Sequence, residues 1–293
     1  MSSNFKIVVD STTDLPQDLA DKLGLTVIPY IYTLDGKEYY NYLDYRQLSV
    51  KDFYNALRDG KTASTTQVTS FRYMEAWEPI LKEGNDVLYM CLSSALSKSH
   101  DQSVLAAREA MEAYPDRKVI AIDSKAASLG QGLLAYYAAK ARDEGKSLEE
   151  TAAYIEDLIT KLHHWIMADD LHHLRRGGRV SGASAFVGTM LSIKPILTIL
   201  EDGKLVPISK VRGRGKALDY MLERMNENIN PADQTVFIAH SDVPEFAQQL
   251  KDLLVEKMGV KECITNEIGP VIGAHTGPGT LAIIFVGNDR PKV

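Results

Sequence analysis

Val87-Leu88-Tyr89-Met90-Cys91-Leu92-Ser93-Ser94 is the stretch whose reading decides the fold. Six largely apolar residues without alternation, closed by two small hydroxyls, suit a short strand buried on both faces. The pattern recurs on either side. Ile7-Val8-Val9 closes in Asp10-Ser11-Thr12, and Val119-Ile120-Ala121-Ile122 closes in Asp123-Ser124. Helical patterns fall between and after these segments. Met74, Trp77, Ile80 and Leu81 share one helical face. Ser147 and Glu150 form a capping-box signature before a helix with Ala152, Ile155, Leu158, Ile159 and Leu162 on one side. Strand and helix alternate, so the first half is expected to be α/β with a mainly parallel sheet.

In open α/β sheets, ligands bind beyond the carboxyl ends of the strands. Three strand ends rich in Asp, Ser and Thr therefore predict a small polar site at that edge; the same residues also serve as helix caps. Between Val27 and Tyr42 a tyrosine-rich segment with an Asp35-Gly36 turn reads as a strand or hairpin insertion, its tyrosines lying on a sheet face.

The second half reads differently. Ile196–Leu200, a turn at Glu201-Asp202-Gly203-Lys204, and Leu205–Ile208 form a hairpin pattern. Further strands are expected at Val236–Ala239 and Leu281–Val286, with helices near 215–228 and 243–258. This predicts an α+β second domain, with the boundary near 161–170.

Composition narrows the function classes. The chain has 293 residues, 45% hydrophobic and 25% charged, with a formal net charge of −6. That is ordinary globular composition, and the acidic balance argues against a whole-protein grip on nucleic acid. Two isolated cysteines, Cys91 and Cys263, make a disulfide scaffold or a cysteine zinc site an unfavoured reading. No apolar run reaches the ~20 residues of a membrane span, and the start lacks a long apolar leader, so a cytoplasmic protein is expected.

Gly130-Gln131-Gly132-Leu133-Leu134-Ala135 matches G-x-G-x-x-A, but seven residues separate Ile122 from Gly130, so the tight strand-to-helix turn of a dinucleotide site is missing. No P-loop sequence and no G-x-S-x-G elbow occurs. Ser93 or Ser94 with a distant His275 leaves an acyl hydrolase open as an alternative. The pairs His163-His164 and His172-His173 chelate one ion poorly, because neighbours diverge on a helix or strand; surface or helix-end positions are expected for them. Two basic clusters stand out in an acidic chain: Arg175-Arg176-Gly177-Gly178-Arg179, and Lys204, Lys210, Arg212, Arg214 and Lys216. They suit phosphate, an anionic membrane surface or an acidic protein patch, and keep a regulatory or nucleic-acid-binding module open as a further alternative. Residues 268–280 form a glycine/proline-punctuated loop carrying His275.

These residues together resemble the DegV family. Asp10-Ser11-Thr12-Thr13-Asp14-Leu15-Pro16 is similar to its opening motif, and Ser64-Thr65-Thr66-Gln67 to its Thr-Ser-Gln segment, with Thr66 for the usual Ser. Ser93-Ser94-Ala95-Leu96-Ser97, Asp123-Ser124, Leu174–Arg179, Ile193–Leu197 and Gly273–Gly279 follow in order along nearly the whole chain. The usual Ser-Gly-Thr-Tyr is replaced by Ser97-Lys98-Ser99-His100.

The resemblance implies a long-chain fatty acid bound between two domains, 1–165 carrying the carboxylate site and 166–293 covering the acyl tail. It implies no cofactor and no chemistry of the chain's own. It further implies a separate ATP-binding kinase subunit that phosphorylates the carboxylate for phospholipid synthesis, and transient contact with a membrane surface is expected for such a carrier. Carried over, Thr65, Ser93, Ser94, His275 and Thr276 hold the head group, while Arg175, Arg176 and Arg179 face the kinase. Tail-tunnel candidates are Phe186–Leu191, Ile193–Leu200 and Ile268–Ile272.

Overall fold

A computed structural model describes residues 4–169, 171–181, 192–229 and 235–291. The first half begins with β1 (Phe5–Asp10), α1 (Gln17–Lys22) and β2 (Thr26–Ile28), then β3 (Tyr30–Leu34), β4 (Lys37–Asn41), α2 (Val50–Arg58) and β5 (Ala63–Thr66). It continues with α3 (Ser70–Lys82), β6 (Asp86–Cys91), α4 (Ser99–Ala113), β7 (Val119–Asp123), α5 (Leu129–Asp143) and α6 (Leu148–Ile159). The second half holds β8 (Leu162–Met167), α7 (His172–Gly177), β9 (Ile193–Ile199), β10 (Leu205–Arg212), α8 (Arg214–Asn228) and β11 (Thr235–His240). It closes with α9 (Pro244–Asp252), β12 (Glu262–Glu267), α10 (Pro270–Thr276) and β13 (Leu281–Val286).

The expected α/β first half is present. A parallel sheet runs in the order β2-β1-β6-β7. Val8 and Tyr89 pack on one face with Trp77 and Phe53, while Ile7, Val9 and Met90 pack on the other with Leu133 and Leu134. Burial on both faces is why these strands lack alternation. The insertion is a small antiparallel sheet, β4-β3-β5, the hairpin turning at Asp35-Gly36. The second half is a mixed six-stranded sheet, β10-β9-β8-β13-β11-β12, antiparallel except for β11 and β12. The chain crosses from one sheet to the other between Ile159, the end of α6, and Leu162, the start of β8. The capping box at Ser147 and Glu150 opens α6 as read.

Helix α5 lies between the two sheets and touches strands of both, β1 and β6 on one side and β8, β11 and β13 on the other. One continuous apolar core therefore holds Ile7, Met90, Leu133, Phe237 and Ile284 together. Gly130 sets the closeness of this packing: a β-carbon there would sit 1.9 Å from His164 Nε2. Gly132 likewise faces Leu15 and the Thr13 carbonyl. The G-x-G pattern is thus explained by close packing of α5.

The histidine pair on β8 requires a correction. His163 and His164 are not surface or helix-end residues; they are 1% and 2% exposed in the middle of the sheet. His163 stacks on Phe285 at 4.9 Å and hydrogen-bonds the Asn288 carbonyl through Nε2 at 2.8 Å. Burial lowers the pKa of both rings. Their strand neighbours are apolar, and adjacency alone did not distinguish a buried strand from a helix end. His172 and His173 do lie on a short helix, α7. Among the described residues no group of His, Cys, Asp or Glu is arranged to hold a metal ion, and no helix is long and apolar enough to cross a membrane.

Candidate functional site

A cavity of about 330 Å³ opens between the sheets, within the ~300–1,000 Å³ of small-molecule sites. Its floor is one face of the six-stranded sheet. Strand alternation puts His164 and Ile166 of β8, Ala282 and Ile284 of β13, and Ala239 of β11 on that face. Ala239 pairs with Ala282, and Ala282 with Ile166, so two methyl-sized residues sit side by side where bulkier ones would fill the space. Ile199 and Leu205 of the β9–β10 hairpin and Val271 and Ile272 of α10 complete apolar walls. The candidate segments Ile193–Leu200 and Ile268–Ile272 thus each contribute; Phe186–Leu191 lies outside the described residues.

One end of the cavity is polar. Thr65, Ser97, Arg179, His275 and Thr276 all line it. Thr65 is on β5, half-buried between the exposed Ser64 and Thr66, and Thr66 lines the cavity beside it. His275 is on α10, and its Nε2 lies 2.9 Å from Thr65 Oγ1. Its Nδ1 is buried with no hydrogen-bond partner among the described residues, pressed against α7, where a β-carbon on Gly177 would come within 2.3 Å of it. Only glycine permits this approach of α7 to α10.

Burial, then the positive charges of Arg179 and Arg176, lower the His275 pKa to about 4. The ring is therefore neutral at pH 7. Nδ1 has no acceptor among the described residues, so the tautomer that leaves no buried N–H unpaired carries its proton on Nε2. In that tautomer His275 donates to Thr65, and the Thr65 hydroxyl proton is left to point at an acceptor in the cavity. That arrangement suits an anionic oxygen.

The two other candidate serines are placed elsewhere. Ser93 is fully buried and its Oγ donates to the Gly203 carbonyl at 2.9 Å. Ser94 Oγ donates to Asp123 at 2.5 Å. Neither lines the cavity, and neither hydrogen-bonds His275. Asp10 and Ser11 are likewise turned inward: Asp10 accepts from Tyr89 and Thr12, and Ser11 Oγ accepts from the Tyr30 amide and Asn41. The strand-end hydroxyls tie loops together, and the third serine of the Ser93–Ser97 segment, Ser97, is the one that reaches the cavity.

Lys98 also lines the cavity, with its backbone at φ −79° and ψ 4°, a conformation open to any residue. The loss of glycine there costs no backbone strain. Ser128 and Asp14 were not singled out as site residues from sequence. Ser128 lines the cavity at φ 52°, and its Oγ lies 2.5 Å from Asp14 Oδ2. The Gly269 amide, capping α10, donates to the other Asp14 oxygen at 2.9 Å. Burial raises the Asp14 pKa to about 8, against the pull of these two hydrogen bonds. No sequence pattern marks the left-handed backbone at Ser128; the Asp14-Leu15-Pro16 segment was visible only as part of a motif.

On α7, Arg175 and Arg176 are exposed, and Arg176 Nη2 meets His173 Nδ1 at 3.1 Å. Arg179, just past the helix, donates to the Leu96 and Gly177 carbonyls. All three stand around the polar end of the cavity or on the helix packed against it.

A protein with an apolar cavity between its two larger sheets, closed at one end by hydroxyls, a neutral imidazole and arginine, has the form of a receptor for an apolar molecule with one polar end. A family model described as "Uncharacterised protein, DegV family" matches residues 4–288, and the chain belongs to that family. A DegV domain-containing protein of Clostridium perfringens, CPE0026, is 43% identical, covering 98% of each chain. Among solved structures, a DegV family protein from Thermus thermophilus, described by its fatty acid binding, is 31% identical with a TM-score of 0.88, covering 97% of this chain and 99% of that one. DegV from Bacillus subtilis, described as a fatty acid binding protein, is 28% identical with a TM-score of 0.84, covering 98% and 100%.

Proposed function

We propose that the chain binds one long-chain fatty acid, tail between the sheets and carboxylate at Thr65, Ser97, His275 and Thr276. The observation that carries this reading is the apolar cavity ending at the Thr65–His275 pair. The fatty acid binding described for the Thermus thermophilus and Bacillus subtilis relatives supports it. Burying each CH₂ is worth ~0.8 kcal/mol, so a tail of about 15 carbons offers ~12 kcal/mol before the costs of association. The polar end satisfies the carboxylate lone pairs, which are costly to leave bare. Ser93 and Ser94 support the head group indirectly, by fixing the loop that carries Ser97.

The reading extends to presentation of the carboxylate to a separate ATP-binding kinase subunit, for an acyl phosphate destined for phospholipid synthesis. The absence of a P-loop sequence supports a separate source of ATP. Arg175, Arg176 and Arg179 beside the polar end form the surface offered to that subunit.

Native mass spectrometry of the purified protein, then of the denatured sample, is expected to release one long-chain fatty acid per chain. A protein that is empty and takes up no added fatty acid overturns the proposal. Thr65→Val keeps the side-chain shape and removes the hydroxyl. A hydrogen bond to a charged group is worth ~1.5–3 kcal/mol, so hexadecanoate affinity is expected to fall about 10- to 100-fold. The chain alone, given ATP, Mg²⁺ and fatty acid, is expected to yield no acyl phosphate trappable by hydroxylamine; a positive trap removes the need for a separate kinase.

A further inference from the structure

The strands that floor the cavity carry one polar side chain among the described residues that line it, His164 of β8. It is 2% exposed, and neither ring nitrogen has a hydrogen-bond partner among the described residues. Nε2 is pressed end-on against α5, where a β-carbon on Gly130 would come within 1.9 Å of it. The Ala127 carbonyl lies beside the ring but outside hydrogen-bond geometry, and accepts from the Gly130 amide at 3.0 Å. Ala127 and Ser128, the turn that opens α5, also line the cavity. Burial, then the charge of Arg290, holds the His164 pKa well below the usual imidazole range. The ring is therefore neutral, with one donor and one acceptor nitrogen. The position is remote from the carboxylate end. Thr280, whose hydroxyl donates to the Thr276 carbonyl, stands just before β13; Ile284, paired with His164, is four residues further, about 13 Å at ~3.3 Å per residue.

We infer that His164 and Ser128 form an oxygen-binding subsite in the acyl part of the cavity, and that the chain takes fatty acids carrying a hydroxyl on the distal half of the tail. The inference rests on the fatty acid reading and deepens it by naming the kind of tail. A plain hydrocarbon tail leaves both ring nitrogens unpaired, and an unpaired buried polar group is costly. A hydroxyl both donates and accepts, so it pairs with either neutral tautomer of His164. Ser128 Oγ is engaged by Asp14 at 2.5 Å and keeps a lone pair for a second donor. The surrounding Ile166, Ile199 and Ile284 offer no competing polar side chain, so the hydroxyl's place along the tail is set by His164 and Ser128 alone.

The test measures the affinities of hexadecanoate and of its 2-, 12- and 16-hydroxy derivatives by calorimetry. A hydroxyl buried in hydrocarbon without a partner weakens binding. Here the 12- or the 16-hydroxy acid is expected to bind at least as tightly as hexadecanoate. His164→Leu, which puts hydrocarbon in place of the ring, is expected to weaken that hydroxy acid relative to hexadecanoate at least 10-fold. The 2-hydroxy acid, whose hydroxyl stays at the carboxylate end, is expected to show no such shift. Hexadecanoate binding more tightly than both distal hydroxy acids in the unmodified protein overturns the subsite and leaves the fatty acid reading intact. So does a shift below 10-fold in His164→Leu, or an equal shift for the 2-hydroxy acid. Should that variant fail to fold, the ranking in the unmodified protein decides by itself. Failure of all four ligands to bind the unmodified protein removes the fatty acid reading, and this one with it.

Discussion

Asp14→Asn is expected to make the delipidated protein markedly more stable at pH 8 and to leave it nearly unchanged at pH 4. Asp14 is fully buried and its pKa rises to about 8 from an ordinary 3.8. A carboxyl whose folded pKa is raised contributes its stability in full below the unfolded pKa, and loses it as pH climbs through the folded one. Each pKa unit is ~1.4 kcal/mol, so the loss between pH 4 and pH 8 is on the order of 5 kcal/mol. Asparagine has no such loss. It can donate to Ser128 and accept from the Gly269 amide, and Asp14 occupies φ 50°, a left-handed conformation in which asparagine is enriched. Denaturant midpoints at pH 4, 6 and 8 measure the effect; curves for the two proteins that run parallel across this range contradict it. The acid limb is separate. His275, whose pKa falls to about 4, costs stability as pH drops from 6.5 toward 4, in both proteins alike.

Ala282→Phe is expected to cost at least 100-fold in hexadecanoate affinity while decanoate loses much less. Ala282 is on the cavity floor with Ala239 and Ile166 as its paired neighbours, and its methyl group leaves the floor open. A benzyl group there takes the room of about four methylenes. At ~0.8 kcal/mol each this is ~3 kcal/mol, or about 200-fold. The ring enters an apolar space, so the ligand-free protein should hold or gain melting temperature. Competition with a fluorescent fatty acid, run across chain lengths, gives the answer. Equal losses at ten and sixteen carbons would mean that the acyl chain does not pass over Ala282.

The elements that were legible in the sequence are those in which one local signal dominates. Ile7–Val9, Val87–Leu92 and Val119–Ile122 announced a doubly buried parallel sheet, and Ser147 with Glu150 fixed the start of α6. Thr65 and His275 entered through motif resemblance, and the structure brings them to 2.9 Å. The serines show the limit of that route. Three hydroxyls lie within five residues, and only the turn after β6 decides that Ser93 and Ser94 face loops while Ser97 faces the cavity. His163 and His164 show another limit. A polar pair reads as surface from its sequence, yet long-range pairing of β8 with β13 and β9 buries it. Nothing local to β8 specifies those partners, since β13 lies more than a hundred residues further along the chain.

The position of α5 has a practical consequence for engineering. A helix apolar on nearly every side, with Leu133 and Leu134 buried and Gly130 seated on a strand of the opposite sheet, is shared property of both halves. Neither half can be grafted onto a relative without it, and no cut on either side of α5 leaves two soluble fragments, because one fragment keeps the helix with a bare greasy flank and the other keeps a sheet with nothing to cover it. Chimeras meant to exchange tail preference should therefore transplant cavity-floor residues one at a time and leave the two sheets joined through their common helix.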